Sequence, residues 1–108
     1  MPNGPTTNHA FKEFIQDQLR DLDGLAFRAM FGGFGLYRYG RFFACLRQGE
    51  LFFKTDNSTR AKYIALGMDS FRPSEKHHLK AYFQVPPEVM EDSEALTAWA
   101  LEAASCSV

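Results

Sequence analysis

The chain has 108 residues and a net charge of −1, with 45% hydrophobic and 15% aromatic residues, eleven of them Phe. That length suits one domain and leaves too little chain for two independent cores, and so much apolar surface excludes a disordered segment. The two cysteines, Cys45 in an apolar run and Cys106 near the C-terminus, form neither a disulfide framework nor a metal clip; no run has the length of a membrane span or the apolar core of a secretion signal, and free thiols suit a reducing compartment, so a cytoplasmic protein is expected.

Residues 1–7 are polar and contain proline and glycine, so a flexible leader is expected there, followed by one domain over 8–104 and a tail over 105–108. Asn8 has the chemistry of an N-cap for a helix over 8–22, in which Phe11, Phe14, Ile15, Leu19 and Leu22 recur at helical spacing. Gly24 supplies the stop. The pattern then changes to short apolar runs broken by glycine. These predict four strands, 26–31, 34–39, 41–47 and 51–54, turning at Gly32-Gly33, Gly40 and Gln48-Gly49. Such short connections make tight hairpins and therefore an antiparallel meander. Alternation on the third strand puts Phe42, Ala44 and Leu46 on one face and Arg41, Phe43, Cys45 and Arg47 on the other. The first set looks like core and the second like a surface mixing aromatics with arginine.

Asp56-Asn57-Ser58 offers cap chemistry for a short helix through Leu66, closed by Gly67, with Ala61, Tyr63 and Ile64 inward. Residues 68–78 read as a polar loop around Phe71 and Pro73. Residues 79–85 alternate Leu79, Ala81, Phe83 and Val85 on one side, a fifth strand ended by Pro86-Pro87. Pro87 opens a single helical turn to Met90, and Asp92 or Ser93 caps a last helix with Ala95, Leu96, Trp99, Ala100 and Ala103 as its apolar stripe. The expected fold is α+β: an antiparallel meander sheet of four to five strands with helices packed on it, in the order helix, four strands, helix, strand, helix.

Charge is unevenly spread. Residues 28–80 carry ten Lys/Arg and four Asp/Glu, a net +6, while residues 1–27 carry −2 and residues 81–108 carry −5. The simpler reading is that acidic helices neutralise a basic sheet within one fold. The other is a basic surface for nucleic acid or an acidic protein.

The run Arg28-Ala29-Met30-Phe31-Gly32-Gly33-Phe34-Gly35-Leu36-Tyr37 is followed by Gly40, Phe43-Ala44 and Leu51-Phe52-Phe53-Lys54. It resembles the N-terminal domain of the TfoX/Sxy family, whose pattern is Arg-x-Met-Phe-Gly-Gly-x-Gly-Leu-Tyr, a short hairpin with Phe-Ala, then Leu-Tyr-Leu-Lys. Gly67-Met68, Phe71, the Tyr82-Phe83-Gln84-Val85-Pro86 run and Trp99 extend the resemblance across most of the chain. It implies a fold like that of secretion chaperones and a regulatory, non-enzymatic role: the best-known members promote transcription of competence genes. Those regulators carry a second, helical domain after this one; here the N-terminal domain is expected to stand alone. In the family motif Met30, Phe31, Gly32, Gly33, Gly35, Leu36 and Tyr37 are structural residues.

The glycine cluster leads into another strand and lacks a following Lys-Ser/Thr, so it is no phosphate loop; Gly32 and Gly33 serve positive φ or close backbone approach. Adjacent His77 and His78 make poor chelators, and no metal, cofactor or catalytic set is expected. The candidate partner- or nucleic-acid-binding residues are Arg28, Arg38, Arg41, Phe43, Arg47 and Lys54. Arginines beside aromatics on one sheet face suit a protein partner or self-association, with DNA as the alternative and an undiscovered enzyme a distant third. Against this, arginines also guard sheet edges, and Lys54 also reads simply as a strand-end residue beside Asp56.

Overall fold

A computed structural model describes residues 8–30 and 32–106. The expected leader, motif residue Phe31 and the last two residues of the tail lie outside them. Ten elements follow in order: α1 (Asn8–Gln18), β1 (Leu25–Met30), β2 (Gly33–Arg38), β3 (Arg41–Arg47), β4 (Glu50–Lys54), α2 (Arg60–Ala65), β5 (Ser70–Ser74), β6 (His77–Gln84), α3 (Pro87–Met90) and α4 (Ser93–Ala104). All strands join one antiparallel sheet of order β1-β2-β3-β4-β6-β5. The α+β class and the four-strand meander are as expected. The β2–β3 and β3–β4 connections are two-residue turns, Tyr39-Gly40 and Gln48-Gly49, with φ positive at every position. That backbone matches the right-handed twist of the flanking strands.

The segment expected to be a loop instead carries β5. Its polar composition hid a strand that pairs on one side only and needs just one inward anchor, Phe71. The β5–β6 pairing is also irregular, shifting register on either side of Phe71, so no period-2 pattern survives in the sequence.

Helix α1 ends four residues earlier than its apolar stripe suggests. Tight turns continue the path, and Leu19 and Leu22 still enter the core with Phe11 and Ile15. Phe14 is half out, stacked on Phe11. Asn8 is the first residue of the helix. Its amide donates to the Gly32 carbonyl, and its oxygen accepts from the Gln48 N–H at 2.9 Å, tying two turns together. In α2 only Tyr63 turns inward, whereas Ala61 and Ile64 are exposed. Asp92 caps α4, accepting from the Ala95 N–H at 3.1 Å. Leu96, Ala100 and Ala103 are buried beneath it.

Every buried helix side chain belongs to one cluster with Leu36, Phe43, Ala44, Leu46, Leu51, Phe53, Phe83 and Val85. The helices therefore share one face of the sheet. On the other face a second cluster forms from strand residues alone: Cys45, Phe52, Phe71 and Tyr82, with Phe42, Leu79 and Ala81 against it. Phe71 of β5 lies 4.3 Å, ring centre to ring centre, from Phe52 of β4, although β6 separates their strands in the sheet. Both rings line a groove on the helix-free face, which makes that face concave there.

Candidate functional site

The concave face is built by the register of the strands. Arg28 pairs with Gly35 and Gly35 with Cys45; Cys45 pairs with Phe52, and Phe52 with Gln84. Residues directly opposite in an antiparallel ladder point the same way, so this row crosses the face from β1 to β6. A second row runs Ala26, Tyr37, Phe42, and a third pairs Lys54 with Tyr82. Tyr37, Phe42 and Tyr82 form an aromatic strip, with ring centres 5.3 and 5.2 Å apart.

Phe42 reaches this face because β3 carries a β-bulge. Leu36 pairs with Ala44, yet the next residue, Tyr37, pairs with Phe42. Two steps on β3 therefore oppose one on β2, and alternation slips at Phe43. Phe43 and Ala44 both enter the helix-side core; Phe42 joins Cys45 and Arg47 on the concave side. This overturns the expected surface position of Phe43, which is 1% exposed and packs 6.0 Å from Phe53. It also separates Arg41 and Arg38, which pair with one another, from the face that Arg47 shares with Cys45.

The remaining candidates are dispersed around the sheet. Arg28 stands over the Tyr37 ring at 5.4 Å. Arg38 donates to the Asp23 carbonyl at 3.0 Å and stacks on Tyr39 at 4.9 Å, a structural role at the β1–β2 end. Arg47 donates to the Pro73 carbonyl at 2.9 Å and lies opposite Glu50. It lines a groove of about 320 Å³ with Glu50, Asp69, Arg72 and Gln84, where the two signs of charge offset each other. Arg41 and Lys54 meet at the opposite end, in a recess of about 270 Å³ lined also by Phe42, Tyr82, Ala104 and Cys106. Tyr82 was legible only as a member of the Tyr-Phe-Gln-Val-Pro run, and nothing in its spacing linked it to Lys54.

Motif residues Met30, Gly33 and Gly35 hold β1, β2 and β3 together. A Cβ on Gly35 would stand 2.3 Å from Met30 Sδ and 3.1 Å from the Phe42 ring, so Met30 and Phe42 close over the bare backbone. Gly32 has φ +75° with open space around it, whereas a Cβ on Gly33 would meet the Leu46 carbonyl oxygen at 2.0 Å. The two adjacent glycines thus meet different needs. Leu36 is fully buried on the helix side.

Burial pushes the Cys45 thiol up to about 12 and raises Cys106 as well, so neither supplies a thiolate near neutral pH. Burial likewise holds the Tyr82 phenol protonated. Among the described residues no three His, Cys, Asp or Glu are placed to hold a metal ion, and no helix is long and apolar enough to cross a membrane.

His78, on β6, lies 2.6 Å from Ser70 Oγ through Nε2 and 3.1 Å from Arg72 Nη2 through Nδ1. Arginine can only donate, which assigns Nδ1 as an acceptor and leaves the ring neutral. Desolvation, then Arg72 and Lys80, hold its pKa below the ordinary 6.5. The unfolded chain therefore takes up this proton at higher pH than the folded one. The stabilisation is complete above about pH 6.5 and declines as pH falls through that value toward the folded pKa. A ring-proton NMR titration should place His78 below the ordinary histidine value, and R72Q should raise it; an unchanged value in R72Q would contradict the assigned contact.

No curated protein matches the chain. The family model described as the TfoX N-terminal domain matches residues 17–107. With the glycine-dependent β1–β2–β3 ribbon and the Tyr82–Pro86 run inside that span, the chain belongs to the TfoX N-terminal domain family.

Proposed function

We propose that the domain is a non-enzymatic, cytoplasmic regulatory module that binds a protein partner or a second copy of itself through the helix-free side of its sheet, in the manner expected of TfoX-type regulators of competence. One observation carries this reading. The helices share one face, and the opposite concave face presents an aromatic strip, Tyr37, Phe42 and Tyr82, edged by Arg28 and Lys54. Aromatic and arginine side chains are the types enriched at protein interfaces. The buried, protonated thiols fit contact rather than nucleophilic turnover.

Sedimentation velocity over a wide concentration range, paired with affinity capture, tests the proposal. A complex is expected that R28E weakens, because Arg28 is exposed at the edge of the face. A protein that stays monomeric and retains no partner would refute the reading.

The basic central segment favours one second reading, direct and weakly specific DNA binding, since residues 28–80 carry a net +6. Bound phosphates release counterions, so DNA affinity should then fall linearly with salt on a logarithmic scale. No gel shift at low salt, or affinity indifferent to salt, eliminates it.

A further inference from the structure

We infer that the recess between Arg41 and Lys54 is an oxyanion site, built to take a phosphate or carboxylate group. Most cations of this domain are engaged. Arg38 and Arg47 donate to backbone carbonyls, Arg60 to the Thr55 hydroxyl, Arg72 to His78, and Lys62 pairs with Glu102. Arg28 and Lys12 stand over aromatic rings. The Arg41 guanidinium and the Lys54 ammonium have no such partner among the described residues, and they line one cavity.

The third polar group there is the Tyr82 hydroxyl, which makes no hydrogen bond to a described residue. Burial keeps that phenol protonated, so it can donate. No carboxylate lines the recess. The acids nearest to it are committed elsewhere: Asp56 accepts from the Ser58 hydroxyl and from the Ser58 and Thr59 N–H groups, and Glu102 pairs with Lys62. Three donor-bearing residues, two of them charged, thus line one space without a carboxylate in its lining, and the Cys106 thiol beside them is already bonded to the Lys54 and Glu102 carbonyls. The remaining wall, Phe42 and Ala104, is apolar and lowers the local dielectric. Charge-assisted hydrogen bonds to an oxyanion satisfy all three donors at once. The opposite groove lacks this property, because Glu50 and Asp69 face Arg47 and Arg72. At about 270 Å³ the recess is at the small end of ligand sites, enough for the anionic group and a few attached atoms.

The inference is independent of the proposed interaction role, since a monomer without partners can still bind an anion. Heteronuclear NMR titration of the full chain with inorganic phosphate, and separately with an end-blocked glutamate peptide, tests it. Saturable shifts are expected at the amides of Arg41, Phe42, Lys54 and Tyr82 with at least one probe. Response to phosphate alone assigns a phosphoryl ligand, and response to the peptide alone assigns a carboxylate. R41Q and K54M should each weaken binding about tenfold, the scale of one charged hydrogen bond. Y82F, which keeps the ring packed and removes only the donor, should weaken it less, and R72Q should leave it unchanged. No saturable response to either probe, shifts centred on Arg47 and Arg72, or affinity indifferent to K54M would each overturn the assignment.

Discussion

Gly33→Ala should be the most damaging single-methyl change in this domain, lowering stability by about 3 kcal/mol or more. The added Cβ would stand 2.0 Å from the Leu46 carbonyl oxygen and 2.9 Å from Arg47 Cβ. A backbone carbonyl cannot swing aside as a side chain can, so relief requires prising β2 away from β3. For a domain of this size the melting temperature should fall by roughly 12 °C or more. Gly35→Ala makes an informative contrast. Its new methyl meets chiefly Met30 Sδ, the movable end of a flexible side chain. A cost of about 1 kcal/mol is expected. It should shrink when Met30 is already alanine, because the two sites share one volume. Thermal melts of the four variants, G33A, G35A, M30A and G35A/M30A, check both statements; a mild G33A would mean that β2 and β3 are not in this register.

Phe43→Ala should cost about 3–5 kcal/mol, the range for emptying a buried aromatic site. Phe43 is 1% exposed and packed against Phe53 in the helix-side cluster. Phe42→Ala should cost less, since Phe42 is half-buried on the concave side. Uninterrupted alternation along β3 demands the reverse ranking, with Phe43 at the surface beside Arg41 and Arg47, where substitutions cost about 0.5 kcal/mol or less. Urea unfolding of the two variants therefore reads out the bulge. Near-equal losses, or a larger loss for F42A, would remove it.

These two contrasts mark where sequence reasoning succeeds. Local chemistry was enough wherever backbone geometry depends on neighbours in the chain. The turns at Gly40 and Gly49, the Asp92 cap and the stripe of Leu96, Ala100 and Ala103 are all set within a few residues, and all were legible. So was the run from Arg28 to Tyr37, whose glycines mark positions that accept no side chain or need positive φ.

The candidate surface was harder to see because it depends on register. A single extra residue at Phe43 exchanges the faces of every residue before it, and no composition signal announces a bulge. The edge strand β5, anchored by Phe71 alone, was invisible for a related reason: its partner is irregularly spaced and its polar residues resemble a loop. The recess of Arg41, Lys54 and Tyr82 draws on β3, β4 and β6 and on residues at the C-terminal end of α4, which no short-range pattern links.

The order of residues thus prescribed the class of fold, the hairpins, the helix stripes and the family, because each follows from short-range sterics and periodicity. Which side chains share a face, and which charges are left without partners, followed from strand register and from how the helices pack on the sheet. Those are long-range packing properties, settled only when distant segments compete to bury the same apolar surface.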